Sequence, residues 1–313
     1  MSSKALRAKL LATPTGCRIL KFCRVLRHPA QYILRKKLAK DIKPTAAPIV
    51  IPRKKGFAKF NAHELPGFEA INTLCQQLYL ERHTQLDKIQ AVYQTINQKK
   101  FMVNLLYDDD LVQYPELIEF ALNEPLLNAV SLYFQQIPVL RRVALILSMN
   151  NGEEAPISSQ LFHQDGEDFQ QMKLFINMQD VTELNGPFSF LPADTSLQVL
   201  KSYRAKYGAT PENGRYSDES ILTACKPDEV IQLIGPSGQA ALVDTSRCLH
   251  YGSRLTPGHS RLVLMVQFLC YHNLIDTKFS HINPELFPNN LKFHLAVTPR
   301  TFPKKSYYVN PFN

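Results

Sequence analysis

The sequence predicts an α+β protein: packing helices toward the N-terminus, then an antiparallel all-β core of double-stranded β-helix (jelly-roll) or barrel type. Three observations carry that prediction. Apolar residues recur at helical spacing up to about residue 136. After Pro138 the pattern changes to short β runs. Turn sequences such as Asn150-Asn151-Gly152, Asn185-Gly186-Pro187 and Gly235-Pro236-Ser237-Gly238 then separate those runs. With 313 residues, 45% hydrophobic and 20% charged, the chain can bury a full core. No apolar run approaches the roughly eighteen residues that a membrane span needs.

Residues 1–56 read as a basic N-terminal arm. They hold fifteen Lys/Arg and a single acid, Asp41, so they carry +14 and leave −5 to the rest of a chain whose net charge is +9. Basicity that belongs to an arm argues against nucleic acid as a general partner. Arg18, Lys21, Arg24 and Arg27 recur every third residue among Ile19, Leu20, Phe22, Val25 and Leu26, which predicts a cationic amphipathic helix. Such a helix suits peripheral contact with an anionic membrane surface or an acidic partner. The lack of acids before Asp41 also suits an organelle transit segment, and a solvated leader packed loosely on the body is the plainer alternative. Six cysteines without a Cys-x-x-Cys pair point to a reducing compartment, so the expected location is cytoplasmic or membrane-peripheral.

The remainder, 57–313, reads as one domain with a β core over about 138–271, a lid-like insertion at 195–227 and an extended C-terminal arm at 272–313. Helices are predicted over 67–80, 84–99 and, as one or two pieces, 114–136. A short strand is predicted over 101–106. Asp108-Asp109-Asp110 reads as a solvated turn or a helix start. Core strands are expected at 143–149, 172–181, 188–191, 229–234, 240–245 and 261–271, with a helix at 197–207.

The chemistry gathers on Leu161-Phe162-His163-Gln164-Asp165. On an extended segment His163 and Asp165 point to one face. A second imidazole, His250, follows another strand and completes two histidines and a carboxylate, the set that leaves metal positions open in non-haem Fe(II) oxygenases. One His-x-Asp/Glu pair is about what chance supplies from nine His and 27 acids, so the weight lies in the three separate strands. Arg261 opens the third. Lys173, Phe175 and Asn177 alternate on the strand after the first ligands, so one face of it should reach the pocket.

Together these stretches resemble the phytanoyl-CoA dioxygenase family of Fe(II)/2-oxoglutarate oxygenases over roughly Val143–Tyr271. The resemblance rests on Phe162–Asp165, Lys173–Val181, Asn185–Pro192, His250–Ser253 and Arg261. Leu191-Pro192-Ala193-Asp194-Thr195 departs from the family's Leu-Pro-Gly-Ser-His element. The resemblance implies that His163, Asp165 and His250 hold iron. It also implies that Arg261, eleven residues after His250, receives the far carboxylate of 2-oxoglutarate, for which a planar, permanently charged fork is suited. Ser253 would add a hydroxyl there, with Lys173 and Asn177 as further cosubstrate or substrate contacts. Fe(II), 2-oxoglutarate and O₂ are the implied cofactors, and hydroxylation of a small molecule, lipid or acyl conjugate the implied outcome. The retained Asp165 separates the chain from halogenases, which replace that carboxylate. A non-catalytic jelly-roll binding module, a zinc hydrolase on the same ligands and a nucleic-acid demethylase are the competing readings.

Overall fold

The computed structural model describes residues 10, 13–89, 101–150, 152, 155–211, 213–274 and 290–298. Two antiparallel sheets form the centre. The first joins β1 (Phe57–Asn61), β2 (Met102–Asn104), β3 (Val139–Met149), β5 (Gln171–Asn177), β9 (Gln239–Asp244) and β11 (Ser260–Leu269) in the order β1-β9-β5-β11-β3-β2. The second joins β4 (Phe162–His163), β6 (Ser189–Phe190), β7 (Arg215–Tyr216), β8 (Ile231–Gln232) and β10 (His250–Tyr251) in the order β7-β4-β10-β6-β8.

Alternation along the long strands divides the first sheet into two faces. Leu145, Leu147, Leu174, Ile176, Leu264 and Phe268 pack on the helical layer, with Ile71, Leu78, Ile118 and Leu126 among their neighbours in one core. That layer comprises α3 (Phe68–His83), α4 (Asp108–Gln113), α5 (Glu116–Ala121) and α6 (Glu124–Phe134). The opposite face meets the second sheet through Ala241, Val243, Phe188 and Phe190.

Several boundaries differ from the sequence reading. β3 begins at Val139 and takes in Arg141 and Arg142, because β11 pairs with it beyond a register shift at Gln267/Phe268. The predicted 84–99 helix lies partly outside the described residues, which show helix to Ile89. Of the two readings of Asp108-Asp109-Asp110, the helix start holds and the solvated turn does not. The run starts α4, and buried Asp110 takes both arms of the Arg82 guanidinium at 2.6 and 2.8 Å. The insertion holds α7 (Ala193–Tyr207), β7 and α8 (Asp218–Leu222), so it contributes an edge strand to the second sheet. Of the C-terminal arm, residues 290–298 include a short helix, α9 (Leu291–Val297), with Phe293, Ala296 and Val297 buried; the expected extended path is not seen there.

The basic segment forms two helices, α1 (Pro14–Arg27) and α2 (Pro29–Lys40), each opened by a proline at its first helical position. The Thr13 side chain caps α1 by accepting from the Gly16 N–H. These helices are fastened to the body rather than solvated around it. Arg35 is fully buried and donates to the carbonyls of Ile137, Pro138, Leu295 and Thr298. Lys21 reaches both oxygens of buried Asp168 at 2.9 Å. Ile49 and Ile51 join the main core, so packing runs straight across residue 56. Among the described residues no helix is long and apolar enough to cross a membrane.

Candidate metal centre

His163 and His250 lie directly opposite each other where β4 pairs with β10, their ring centroids 4.2 Å apart. Two residues beyond His163, the Asp165 backbone N–H donates to the Thr245 carbonyl at 2.9 Å, which turns its carboxylate toward the imidazoles. One ligand atom from each of the three lies within 4.8 Å of the others, and no other trio of His, Cys, Asp or Glu among the described residues does so. Each imidazole is oriented by its own chain. His163 Nδ1 donates to the Leu161 carbonyl and His250 Nδ1 to that of Cys248, both at 2.9 Å. A neutral imidazole has one donor and one acceptor nitrogen, so both Nε2 lone pairs remain for a metal.

The electrostatics set the same protonation states. Burial, reinforced by the neighbouring His250, pushes His163 down to about 2. Burial also lowers His250. At Asp165 burial favours the neutral acid, but the Lys173 ammonium at 2.8 Å and the facing imidazoles outweigh it and hold the carboxyl well below its usual range. Gln171 Nε2 donates to the same oxygen at 2.9 Å. At neutral pH the trio is therefore two neutral imidazoles and one carboxylate, the forms that bind a divalent cation without first losing a proton.

Arg261 stands at the other end of the pocket. It is buried, donates Nη1 to the Gly186 carbonyl at 2.6 Å and Nη2 to Ser253 Oγ at 3.1 Å, and has no described carboxylate within ion-pair distance. Its Nε is buried with no hydrogen-bond partner among the described residues. Burial lowers its pKa to about 10, so it stays cationic at neutral pH. Ser253 adopts φ +62°, a left-handed backbone that costs roughly 1 kcal/mol or more outside glycine. Bonds from its N–H to Gly186 O and from its Oγ to Ser148 Oγ hold it there. Gly186 cannot be replaced lightly. Its φ is +59°, and an added Cβ would lie 2.6 Å from the Arg254 backbone nitrogen.

A cavity of about 170 Å³ joins the two ends, with His163, Asp165, His250, Lys173, Arg261 and Ser253 all in its wall. Phe175 and Phe188, stacked at 3.9 Å, line it between them. Of the residues expected here, Asn177 is held apart. Its amide donates to the Leu233 carbonyl at 3.0 Å, and it lies beyond the cavity wall. Lys173 does reach the cavity, where its ammonium is engaged by Asp165. Asp244 accepts from Ser246 and from the Tyr133 hydroxyl, closing its own turn and leaving both histidines to other partners.

Two cationic cavity residues escaped the sequence reading. Arg215 lies opposite His163 across the β4–β7 pair, with Nη1 buried and unpartnered among the described residues. Arg142 enters from the start of β3. The cavity wall thus carries four cations, Arg142, Lys173, Arg215 and Arg261, against the single carboxylate of Asp165. A further stay is Arg254, whose guanidinium forks onto Asp218 at 2.6 and 2.7 Å and lies 3.6 Å over the Tyr251 ring.

No protein-family profile matches the chain, and no curated protein does. Several solved structures show some likeness to the chain. EctD from S. alaskensis, in its apo form, is 13% identical over 75% of this chain and 80% of its own, with a TM-score of 0.48. The apo non-heme monooxygenase ThoJ is 15% identical over 71% and 76%, at 0.45. HygX from Streptomyces hygroscopicus, with nickel and 2-oxoglutarate bound, is 13% identical over 69% and 83%, at 0.42. At scores below 0.5 these likenesses assign neither a family nor an activity to the chain.

Proposed function

We propose that this chain is an Fe(II)- and 2-oxoglutarate-dependent oxygenase with a jelly-roll core of the phytanoyl-CoA dioxygenase type. The observation that carries the reading is a single cavity joining a neutral-histidine and carboxylate trio to a buried arginine fork with no carboxylate partner among the described residues. His163, Asp165 and His250 would hold the iron, each presenting one atom, with the remaining positions open to ligands. Arg261 and Ser253 would receive the far carboxylate of 2-oxoglutarate, a dianion that also relieves the cost of a buried cation. Iron and 2-oxoglutarate, once bound, supply O₂-dependent oxidation with release of succinate and CO₂.

The chain's own residues do the rest. Lys173 and Gln171 keep Asp165 ionised and fixed in place. Phe175 and Phe188 give the cavity an apolar stretch of wall, which would limit water at the reacting end. The cation excess favours a substrate bearing an anionic group, such as an acyl conjugate, with Arg215 at hand to bind it. A zinc hydrolase would use the trio but gives no role to a buried arginine fork facing the same cavity.

The test is an anaerobic titration with Fe(II) and 2-oxoglutarate, read by the weak visible charge-transfer band of chelated iron. The band should form in the wild type, vanish in His163→Ala and demand far more 2-oxoglutarate in Arg261→Ala. A wild type that binds iron without developing the band, or holds only zinc, overturns the proposal.

A further inference from the structure

Helices that lie on a protein surface normally turn their apolar stripe inward and their charges outward. α1 departs from this in part: Leu20 and Val25 are half-buried, yet charges also turn inward and large apolar side chains turn out. Its buried side carries Arg24 and Cys17, and Lys21 reaches down to Asp168. Its outer side carries Ile19, Phe22 and Leu26, which are 48%, 61% and 62% exposed. Positions 19, 22 and 26 share one face at helical spacing, and exposed Ile33 of α2 adds a fourth apolar side chain. Arg18 and Arg27, both exposed, flank the stripe.

We propose that this face docks the protein on an anionic phospholipid surface. Charge decides the occupant. Across α1 and α2 there are eight Lys/Arg and no acid, so the apolar stripe is bordered by cations alone. A second copy of this chain would set the same cations against one another. Nucleic acid would satisfy the cations and leave Ile19, Leu26 and Ile33 without a use. A lipid surface serves both: the apolar tips enter the acyl boundary while the cations meet phosphate, each worth about 1 kcal/mol near an anionic leaflet.

A second feature points the same way. Beside the stripe lies a cleft of about 330 Å³ whose wall includes Arg18, Lys21, Lys36, Phe22, Tyr32 and Phe169. Arg18 and Lys36 set among aromatic rings, with Lys21 held by Asp168 beside them and exposed apolar side chains next to the opening, suit a phosphate headgroup whose tails continue into the bilayer. Phe22 belongs to both the cleft and the stripe. The inward charge of Lys21 on α1 is met by Asp168, and on the adjoining α2 Arg35 donates to four backbone carbonyls, so both helices are held in this orientation.

The experiment is flotation of the full-length protein with vesicles of phosphatidylcholine alone and of phosphatidylcholine with about one third phosphatidylglycerol. The wild type should float with the anionic vesicles only, and 0.5 M salt (roughly a Debye length of 4–5 Å) should weaken that binding. Phe22→Ser with Leu26→Ser, and separately Arg18→Gln with Arg27→Gln, should each reduce binding at least tenfold. Because all four side chains are exposed, both variants should keep the wild-type melting temperature, which separates lost docking from lost folding. No flotation of the wild type, or flotation unchanged in both variants, overturns the proposal. So does a wild-type dimer in sedimentation that Phe22→Ser splits, since the stripe would then belong to a second copy.

Discussion

Strands of ten and eleven residues run through one sheet of this protein, whereas every strand of the other is two residues long. The two imidazoles sit on the short strands β4 and β10; Lys173 and Arg261 come from the long strands β5 and β11. A long strand is fixed by its ladder and by the core it covers. A two-residue strand has almost no ladder, so its position depends on side-chain stays. Here those are the Nδ1 bonds of both histidines, the Gln160 amide on the Ser253 carbonyl at 2.6 Å and the Arg254 fork on Asp218. The contrast teaches that stability and ligand placement are carried by different parts of one cavity and can be damaged separately.

The widest separation should appear between Phe268→Ala and His163→Ala. Phe268 is fully buried in the core shared by the long sheet and the helices, and its truncation should cost about 3–5 kcal/mol in urea unfolding. His163→Ala should abolish Fe(II) binding while costing the metal-free protein less than half as much. Equal losses in the two variants would break the division between the sheets. Next in size, Arg261→Gln should raise the 2-oxoglutarate needed for half-saturation by about 10–100-fold, the ~1.5–3 kcal/mol of a charge-assisted bond. Iron binding measured without 2-oxoglutarate should stay within twofold of wild type.

A smaller, pH-dependent effect sharpens the comparison. His163 titrates at about 2 in the folded chain and near 6.5 when unfolded. The unfolded chain therefore takes up its proton first, so metal-free stability is full above pH 6.5 and falls as pH drops through the window below it. Between pH 6.5 and 5.5 the loss due to this residue should be about 1 kcal/mol, steepening toward about 1.4 kcal/mol per pH unit below that. His163→Gln should flatten that slope in a denaturation series, and an unchanged slope would mean that the imidazole is not buried in its neutral form. Smallest of all, Asp218→Asn should cost about 0.5–1 kcal/mol, because this pair is partly exposed.

The same contrast explains what could be read in the sequence. β5, β9 and β11 announce themselves as apolar runs, and the start of β3 was missed because the adjacent charges of Arg141 and Arg142 interrupt its run. Two-residue strands have no period to detect, so Arg215 looked like part of a polar loop, although it faces His163. The trio and Arg261 could be picked out because residues of the right chemistry fall beside three separate strand-like runs, although the His-x-Asp spacing alone is about what chance supplies. Asn177 was misplaced for a physical reason. Alternation gives the face of a strand but not where a cavity ends, and the Leu233 carbonyl covers that end of β5. The orientation of α1 was hidden because its periodicity shows a stripe without showing which side of it the body takes.

The pairing of His163 with His250 also bears on when the centre can exist. Asp165 takes its backbone partner from Thr245, and the second imidazole comes from position 250. While the chain is being synthesised, His163 and Asp165 emerge well before either, with Lys173 as the neighbour that can occupy the carboxylate. A nascent chain therefore carries no completed trio to scavenge stray metal ions. At the proposed site, metal binding would wait until the strand that bears His250 has paired with β4.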